Sequence, residues 1–161
     1  MQAYGYAEYR LGPDMSREIN EVMPGLFISG MLPACEESLI RERGITRVIR
    51  CGEKDDFIAY GYHKGVEYMD IVIEDSLQAH FTRELLDKCV EFISCDAKTL
   101  VHCWAGVSRS ATIVIAYMIA RNGMGVREAR LRLKDARTVI APNKTFMKDL
   151  VKYHGVVHKK A

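Results

Sequence analysis

The sequence predicts an α/β fold in which a central, mostly parallel sheet of four to five strands is flanked by helices. The first observation is an alternation along the chain, because segments with a strand pattern are followed by segments with a helical pattern. The second is the apolar strand at Leu100 and Val101, which passes through a glycine-containing loop directly into an apolar helix. Strands that alternate with helices are joined by crossover connections, and these favour parallel pairing.

The individual segments follow the order that such a fold requires. The strand segments are Val22–Ser29, Ile45–Arg50, Val66–Ile73 and the central strand at Leu100 and Val101. The helix segments are Pro33–Arg43, a segment capped by Thr82 that runs through Ile93, Ser110–Arg121, Val126–Arg137 and a last helix that follows Pro142-Asn143. The strand segment Val66–Ile73 shows the period of two, and the segment after Thr82 shows the spacing of an amphipathic helix. The charged run Glu53-Lys54-Asp55-Asp56 begins a segment that continues through Gly61 and Gly65, which predicts a loop over residues 53–65.

Length and composition favour a single folded domain. A chain of 161 residues can bury one sizeable core and is short for two. Its 48% hydrophobic and 27% charged residues are typical of a soluble globular protein. We predict one domain over residues 21–157, an irregular arm over 1–20 and a short basic tail over 158–161.

Charge and cysteine content argue against several classes of protein. A net charge of +2, from 23 basic and 21 acidic side chains, gives no large positive field to hold a polyanion such as duplex nucleic acid. The five cysteines are an odd number without a C-x-x-C pair, which disfavours a disulfide framework or a zinc site. The longest apolar run, Ala111–Ala120, is too short to span a membrane. We expect a cytoplasmic protein, and its size also allows entry into the nucleus.

The segment from Thr99 to Ala111 joins a strand, a tight loop and the start of a helix. Backbone N–H groups at such a junction lack helical partners and the helix dipole adds positive potential, so the loop predicts an anion site. Cys103 stands at the mouth of the loop, where the same field lowers the pKa of a thiol. Arg109, six positions on, offers a planar pair of donors that matches two oxygens of a phosphoryl group. A nucleophile and a clamp therefore face the same ligand.

The run from His102 to Ser110, His-Cys-Trp-Ala-Gly-Val-Ser-Arg-Ser, resembles the His-Cys-x5-Arg-Ser signature of the cysteine-based protein tyrosine phosphatases. The residues Ala-Gly-Val-Ser-Arg-Ser are similar to the corresponding sequence of the dual-specificity branch, and the short chain resembles the small atypical members of that branch. The resemblance covers roughly Val22 to Val151 and implies the family's α/β fold, without a metal or organic cofactor.

The same resemblance implies a role for each residue of the signature. Cys103 attacks phosphorus, Arg109 holds the phosphoryl group and Ser110 assists the departing thiolate, with a simple helix N-cap as the alternative for Ser110. His102 orders the loop by hydrogen bonding, and its place next to Cys103 in a strand makes it a poor base for a protease pair. The residues predicted to bind the phosphate with Arg109 are Trp104, Ala105, Gly106, Val107 and Ser108.

The leaving oxygen of a phosphate ester also needs a proton. Asp75 is the predicted general acid, because it follows a strand expected beside the Cys103 strand and because Ile-Glu-Asp-Ser resembles the family's general-acid segment. Glu74 is the second candidate, and a plain turn-forming role is the alternative for Asp75. An acid that must be protonated while the thiol is ionised predicts maximal activity at mildly acidic pH.

A second stretch extends the resemblance. Arg137, Pro142-Asn143 and Phe146 resemble the dual-specificity pattern Arg-Pro-x3-Pro-Asn-x2-Phe, in which the Asn braces the phosphate loop. Thr138 replaces the first proline of that pattern. A helix cap is the alternative role for Asn143.

Cys51 ends its strand, where some relatives carry a cysteine that traps an oxidised nucleophile as a reversible disulfide. A thiolate of low pKa such as Cys103 is prone to oxidation, so a neighbouring thiol would protect it. A small buried hydrophobic residue is the alternative for Cys51.

Together these residues predict a dual-specificity protein phosphatase that acts on phosphotyrosine and on phosphoserine or phosphothreonine. The loop contains no Lys, whereas inositide-specific relatives usually enrich it in Lys, so phosphorylated proteins are the predicted partners, and nucleic acids and membranes are not. Two alternatives stay open: a phosphatase of non-protein monoesters such as inositides, RNA 5′ ends or glucans, and a non-catalytic phosphate-binding adaptor. Rhodanese-like sulfur transfer also uses a Cys loop, but it does not require the Arg109-Ser110 pair.

Overall fold

The computed structural model describes residues 17–93 and 96–159, which form a five-stranded sheet between two layers of helices. The strands are β1 (Asn20–Met23), β2 (Leu26–Ser29), β3 (Ile45–Gly52), β4 (Glu67–Val72) and β5 (Lys98–His102). The helices are α1 (Met31–Ala34), α2 (Glu37–Glu42), α3 (Asp56–Tyr60), α4 (Arg83–Phe92), α5 (Arg109–Asn122), α6 (Val126–Ala136) and α7 (Lys144–Val157). The strand order is β1-β2-β5-β3-β4, and β1 is antiparallel to β2 while the other pairings are parallel. The predicted α/β class with a mostly parallel sheet is confirmed.

Alternate residues of the central strands enter two separate cores, one on each face of the sheet. In β5, Val101 belongs to the larger core, which is shared with residues of α4, α5, α6 and α7. Its neighbour Leu100 belongs to the smaller core, together with Ile40 of α2. Helix α5 is buried nearly all round, as its apolar sequence predicts, because other helices and the sheet enclose it.

The first strand region is a hairpin and not the single strand predicted over Val22–Ser29. Strands β1 and β2 pair around a turn at Pro24-Gly25, where Gly25 has a φ of +81°. Glycine takes this left-handed conformation without strain, but apolar residues on both sides obscured the turn signal. Strand β1 begins at Asn20 and Ile19 is buried, so both lie inside the segment predicted as an irregular arm. Residues 1–16 of that arm, and residues 160 and 161 of the predicted tail, lie outside the described part of the chain.

Two further elements differ from the prediction. The helix predicted over Pro33–Arg43 is divided into α1 and α2, because Glu36 takes an extended conformation between them and is the N-cap of α2. The predicted loop over 53–65 contains the short helix α3, whose aromatic rings pack over the buried guanidinium of Arg50 in β3. That contact joins two separate elements, so no local pattern signals it.

Strands β3, β4 and β5 run parallel, so their carboxyl ends meet at one edge of the sheet. Arg50 of β3 lies opposite His102 of β5 in this register. The strand that precedes Asp75, β4, was predicted beside the Cys103 strand, but β3 lies between β4 and β5. The segments that leave β4 and β5 begin at Ile73 and Cys103 and still start at the same edge, because the three strands are parallel. Ligands of open α/β sheets bind at such an edge. Within residues 17–93 and 96–159, no helix has the length and apolar character that crossing a membrane requires.

Candidate active site

The loop from Cys103 to Ser108 is fixed by hydrogen bonds that its carbonyl oxygens accept from groups around it. The donors are His102 Nδ1 for Cys103, Met31 N for Trp104, the Arg137 guanidinium for Ala105 and Gly106, Ala141 N for Val107, and Thr112 N for Ser108. The described chain contains no cis peptide bond, so each carbonyl that faces outward turns the next residue's N–H inward. The amides of the loop therefore converge on its centre, where an anion can accept their hydrogens.

Gly106 allows this loop to lie directly against the end of β2. Its φ is +68°, and a Cβ at this position would lie 2.6 Å from the carbonyl carbon of Ser29 and 2.7 Å from the nitrogen of Gly30. A Cβ on Gly30 would in turn lie 3.0 Å from the carbonyl oxygen of Trp104. The glycine in the signature is therefore required both for its conformation and for the close approach of two backbones.

Cys103 is buried, and its sulfur lies inside the ring of amides. Its Sγ accepts the N–H of Gly106 at 3.3 Å and lies 3.2 Å from the Oγ of Ser110. Burial alone would raise the pKa of this thiol, but the charge of Arg109 and the hydrogen bonds from Ser110 and Gly106 outweigh it and lower the pKa. The site therefore favours a thiolate.

Arg109 is the first residue of α5, and its guanidinium is anchored beside the sulfur. Its Nη1 donates to the carbonyl of Ile73 at 3.1 Å, which joins the clamp to the segment that leaves β4. Its Nε is buried and has no hydrogen-bond partner among the described residues. A buried donor without a partner is costly, so this atom marks a position where an oxyanion would be bound.

The structure changes the roles of two serines: Ser108, and not Ser110, is the N-cap of α5, and the side chain of Ser108 bonds the protein backbone. Helix α5 starts at Arg109 with Ser108 as its N-cap, so Ser110 lies inside the helix, and the alternative that it is merely an N-cap is wrong. The Oγ of Ser108 accepts the N–H of Asn143 at 3.0 Å, and this bond ties the loop to the start of α7. The side chain of Ser108 thus supports the loop, while its backbone belongs to the ring of amides.

Asp75 lies in the segment after β4 with an exposed side chain, and Asn143 holds it. The Nδ2 of Asn143 donates to Oδ1 of Asp75 at 2.9 Å and to the carbonyl of Ser76 at 3.2 Å. The Oδ1 of Asn143 accepts the N–H of Phe146 at 2.9 Å and so caps α7. Asn143 therefore acts as a helix cap and as a brace at once. Glu74 is also exposed, and the Nδ2 bonds of Asn143 within the described part of the chain go to Asp75 and Ser76.

Burial would lower the pKa of the Arg109 guanidinium, but acidic groups around it raise it, with Cys103 foremost and Asp75 among them. The negative charge of Asp75 thus helps to stabilise the positive charge of the Arg109 guanidinium. The structure brings Cys103, Arg109, Ser110 and Asp75 to one edge of the sheet, as the predicted chemistry requires.

His102 supports the loop from below and does not activate the sulfur. Burial, together with the positive charges of Arg50 and Arg109, lowers its pKa to about 4, so the ring is neutral at physiological pH. Its Nδ1 donates to the carbonyl of Cys103 at 3.2 Å, and its ring packs edge-on against Tyr60 of α3. A neutral ring that is bonded to a carbonyl is unsuited to the Cys-His pair of a protease.

Arg137 is fully buried and connects the loop with β1. Its Nε donates to the carbonyl of Gly106 at 2.9 Å, and its Nη2 to that of Ala105 at 3.2 Å. Its Nη1 donates to Oδ1 of Asn20 at 2.7 Å and to the carbonyl of Glu18 at 3.3 Å. The pattern of the sequence indicated Arg137 but not Asn20, because the two residues are far apart along the chain.

Cys51 is fully buried in the larger core, in the same cluster as Cys89 and Cys103. Burial, reinforced by the neighbouring thiols of Cys103 and Cys89, raises its pKa well above the ordinary value. Cys51 is therefore a neutral thiol in the reduced protein, and its proposed redox role stays a prediction. Within the described residues, no group of three or more His, Cys, Asp or Glu side chains is placed to hold a metal ion.

Several residues that build the site carried no signal in the sequence. Met31 and Ala141 act only through backbone N–H groups, which any residue other than proline supplies. Thr112 holds the carbonyl of Ser108 through both its N–H and its hydroxyl, whereas the sequence shows it only as one residue of an apolar helix. Asp149, on α7, binds the segment that follows Asp75 through two hydrogen bonds.

A family model described as the catalytic domain of dual specificity phosphatases matches residues 28–155. The chain is 35% identical over 145 residues to a probable dual specificity protein phosphatase from Dictyostelium discoideum. The matched region covers 88% of this chain and 36% of that protein. It is 30% identical over 143 residues to dual specificity protein phosphatase 15 from Mus musculus, covering 86% of this chain and 59% of that protein. The chain thus spans less than two thirds of the length of each of these relatives.

Solved structures show the same architecture. The human tyrosine phosphatase-like serine/threonine/tyrosine-interacting protein superposes with a TM-score of 0.79 at 30% identity, covering 87% of this chain and 97% of that one. The structure of DUSP15 superposes with a TM-score of 0.81 at 26% identity, covering 89% of this chain and 92% of that one. The match over residues 28–155 spans most of the sheet and every predicted site residue, and the chain belongs to the dual specificity phosphatase catalytic domain family.

Proposed function

We propose that this chain is a dual-specificity protein phosphatase that hydrolyses phosphotyrosine and phosphoserine or phosphothreonine through a phosphocysteine intermediate. The observation that carries the proposal is the environment of Cys103, a buried sulfur of lowered pKa inside converging amides and beside the unpartnered Nε of Arg109. A thiolate nucleophile in a ready-made oxyanion cradle suits transfer of a phosphoryl group.

In the first half-reaction, the thiolate of Cys103 attacks phosphorus, the P–S bond forms and the P–O bond to the substrate breaks. The equatorial oxygens take hydrogen bonds from the loop amides and from Arg109, which are already oriented before the substrate binds. The carboxyl group of Asp75 gives its proton to the leaving oxygen. One oxygen of Asp75 is held by Asn143, so the orientation of the acid is supported by a residue that also ties down the loop.

In the second half-reaction, Asp75 takes a proton from water while the water oxygen attacks phosphorus. The P–S bond breaks, inorganic phosphate leaves, and the sulfur of Cys103 becomes a thiolate again. The hydroxyl of Ser110, 3.2 Å from the sulfur, donates to the thiolate as it departs. The same hydrogen bond that lowers the pKa of Cys103 thus makes it a better leaving group.

Phosphorylated proteins are the proposed substrates. The loop positions between Cys103 and Arg109 carry no lysine that would hold an additional phosphate group. The relatives named above as dual specificity protein phosphatases support the same substrate class. Inositides, RNA 5′ ends and glucans are the competing monoesters.

A phosphate-binding adaptor without turnover is the second candidate. One similar solved structure is described as a tyrosine phosphatase-like interacting protein, at 30% identity, which keeps this candidate in view. The adaptor needs the cradle but neither the Ser110 contact with the sulfur nor the braced acid. Both are present in this chain, and they favour the enzyme.

Turnover of p-nitrophenyl phosphate and of a peptide phosphorylated on both threonine and tyrosine tests the proposal. We expect Cys103→Ser to lose at least about a thousandfold in kcat, because the nucleophile is removed. Cys35→Ser, which changes a half-buried thiol elsewhere, should retain the rate. A wild-type protein that binds phosphate analogues but turns over neither substrate would establish the adaptor instead. Faster turnover of inositides, RNA 5′ ends or glucans than of the peptide would establish the other enzyme class.

The acid is assigned by a matched pair of variants. Asp75→Asn should lower the rate on the peptide by about 10²–10⁴, the usual contribution of general acid–base catalysis. Glu74→Gln removes a neighbouring exposed carboxylate and should leave the rate nearly unchanged. The reverse pattern would move the acid to Glu74.

A further inference from the structure

The segment from Ser76 to Phe81, which we call the acid strap, follows Asp75 and lies along one face of α7. At its first end, Thr145 Oγ1 donates to the carbonyl of Leu77 at 2.8 Å, next to the Asn143 bonds already described. At its last end, the ring of Phe81 packs edge-on against Phe146 with centroids 4.8 Å apart. The strap therefore contacts a single helix at both of its ends.

Asp149 is the charged member of this contact, and it is buried. Its Oδ2 accepts the backbone N–H of Phe81 at 2.9 Å, and its Oδ1 accepts from Nδ1 of His80 at 3.0 Å. The two hydrogen-bond partners that the described residues give this carboxylate both belong to the strap. Detachment of the strap would break both hydrogen bonds of this carboxylate, so these bonds favour the attached strap.

The spacing on α7 explains how one helix can hold the strap. Thr145 and Asp149 are four residues apart and Phe146 and Asp149 are three apart, so these side chains share one face of the helix. Asn143 caps the same helix and bonds Asp75 itself. Contacts with α7 at both ends of the strap therefore fix the position of Asp75.

We propose that Asp149 is a positioning residue for the reaction: by fixing His80 and Phe81 at the far end of the acid strap, it keeps Asp75 in place to protonate the leaving group. The inference rests on the proposed function, because it concerns the acid of the same reaction. Asp149 does not touch the substrate, and its effect passes through the backbone of the strap to Asp75.

The test compares substrates that differ in their need for a proton. Phenyl phosphate has a poor leaving group that depends on the acid, whereas p-nitrophenyl phosphate has a good one that depends on it little. We expect D149A to lower kcat on phenyl phosphate by about tenfold more than on p-nitrophenyl phosphate. D149N keeps an oxygen for the N–H of Phe81. Its ratio of kcat on phenyl phosphate to kcat on p-nitrophenyl phosphate should therefore return most of the way to the wild-type ratio. Where D149A does not fold, D149L supplies an apolar side chain of similar size for the same comparison.

Two controls separate positioning from a general loss of structure. Asp87→Asn changes a carboxylate that accepts the hydroxyl of Tyr153 on α7 and does not touch the strap, so it should lower both rates equally or not at all. In a D75A background, adding D149A should produce no further loss of selectivity, because the acid through which it acts is already absent.

Equal losses on both substrates in D149A and D149L would overturn the inference, as would a full additional loss of selectivity in the D75A background. A wild-type protein without activity on either aryl phosphate would instead overturn the proposed function, so the two failures are distinguishable.

Discussion

The loop around Cys103 and the segment around Asp75 contribute to one site but are built in different ways. Each carbonyl from Cys103 to Ser108 accepts a hydrogen bond, and the donors lie on β5, on α1, on α5 and in the segment between α6 and α7. The segment around Asp75 has exposed side chains and is attached mainly to α7. A region that must stabilise charge is thus fixed from all sides, whereas the proton donor depends on a single helix. Variants in the two regions should therefore fail differently.

The largest effect is expected where the loop has no room to adjust. Gly106→Ala would place a Cβ 2.6 Å from the carbonyl carbon of Ser29 at a φ of +68°. We expect kcat/KM to fall by about a thousandfold and the free energy of unfolding to fall by about 3 kcal/mol. Gly65→Ala is the matched control, because Gly65 has a φ of +82° and open space around it. An equal loss in both variants, measured by turnover and urea unfolding, would show that strain alone matters and not the contact with β2.

The second effect tests the support of the loop from within the core. Arg137→Met removes a buried guanidinium that donates to two loop carbonyls and to Asn20. We expect a loss of about 2–4 kcal/mol in the free energy of unfolding, because buried acceptors lose their donor, together with about a hundredfold loss in kcat/KM on every substrate. Arg47→Met removes a partly buried arginine that donates to Phe92 away from the site. Its kcat/KM should stay near wild type, and a comparable loss there would contradict a specific role for Arg137.

The third effect belongs to the acid segment and should depend on the substrate. Asn143→Ala frees Asp75 and removes the cap of α7, so we expect about a tenfold loss in kcat on phenyl phosphate, a smaller loss on p-nitrophenyl phosphate and about 1 kcal/mol lower stability. Thr82→Ala removes the matching cap of α4 and should cost similar stability without any substrate dependence. If the two variants have identical kinetics, Asn143 is a cap and nothing more.

The smallest effect on the resting enzyme concerns Cys51. After one equivalent of peroxide, we expect the oxidised sulfur of Cys103 to be attacked by the thiol of Cys51, which forms a disulfide and releases water. Peptide mapping by mass spectrometry should find the Cys51–Cys103 link, and a thiol reductant should restore activity. A higher oxidation state of Cys103 without this link would refute the redox role and leave Cys51 as a packing residue.

The parts of the site that could be predicted are those that are continuous in the sequence. Cys103, Gly106, Arg109 and Ser110 lie within eight residues, so strand, loop and helix signals support one another. Asp75 was predicted through resemblance, since an Asp after a strand has many uses. The links from Arg137 to Asn20 and from Asp149 to Phe81 join distant segments, and no local period records them.

The same distinction applies to the fold. The alternating strands and helices were readable because burial imposes a period on each of them. The hairpin at Gly25 was missed because apolar residues on both sides of a two-residue turn look like one strand. Helix α3 was missed because it has only five residues and its rings are held by a contact with Arg50, a residue of β3.

The most direct test of the account is the pKa of Cys103 in the free protein, measured as the rate of alkylation by iodoacetamide against pH and checked by the acid limb of kcat/KM. Because the pKa is lowered in the folded protein, the thiolate persists below the pH at which an ordinary cysteine is protonated, and the alkylation rate should reach its plateau at a lower pH than that of a free cysteine. Ser110→Ala removes one of the hydrogen bonds that lower the pKa of Cys103 and should shift both curves to higher pH. An alkylation rate that still rises through the pKa of a free cysteine, with the same curve in Ser110→Ala, would contradict the account.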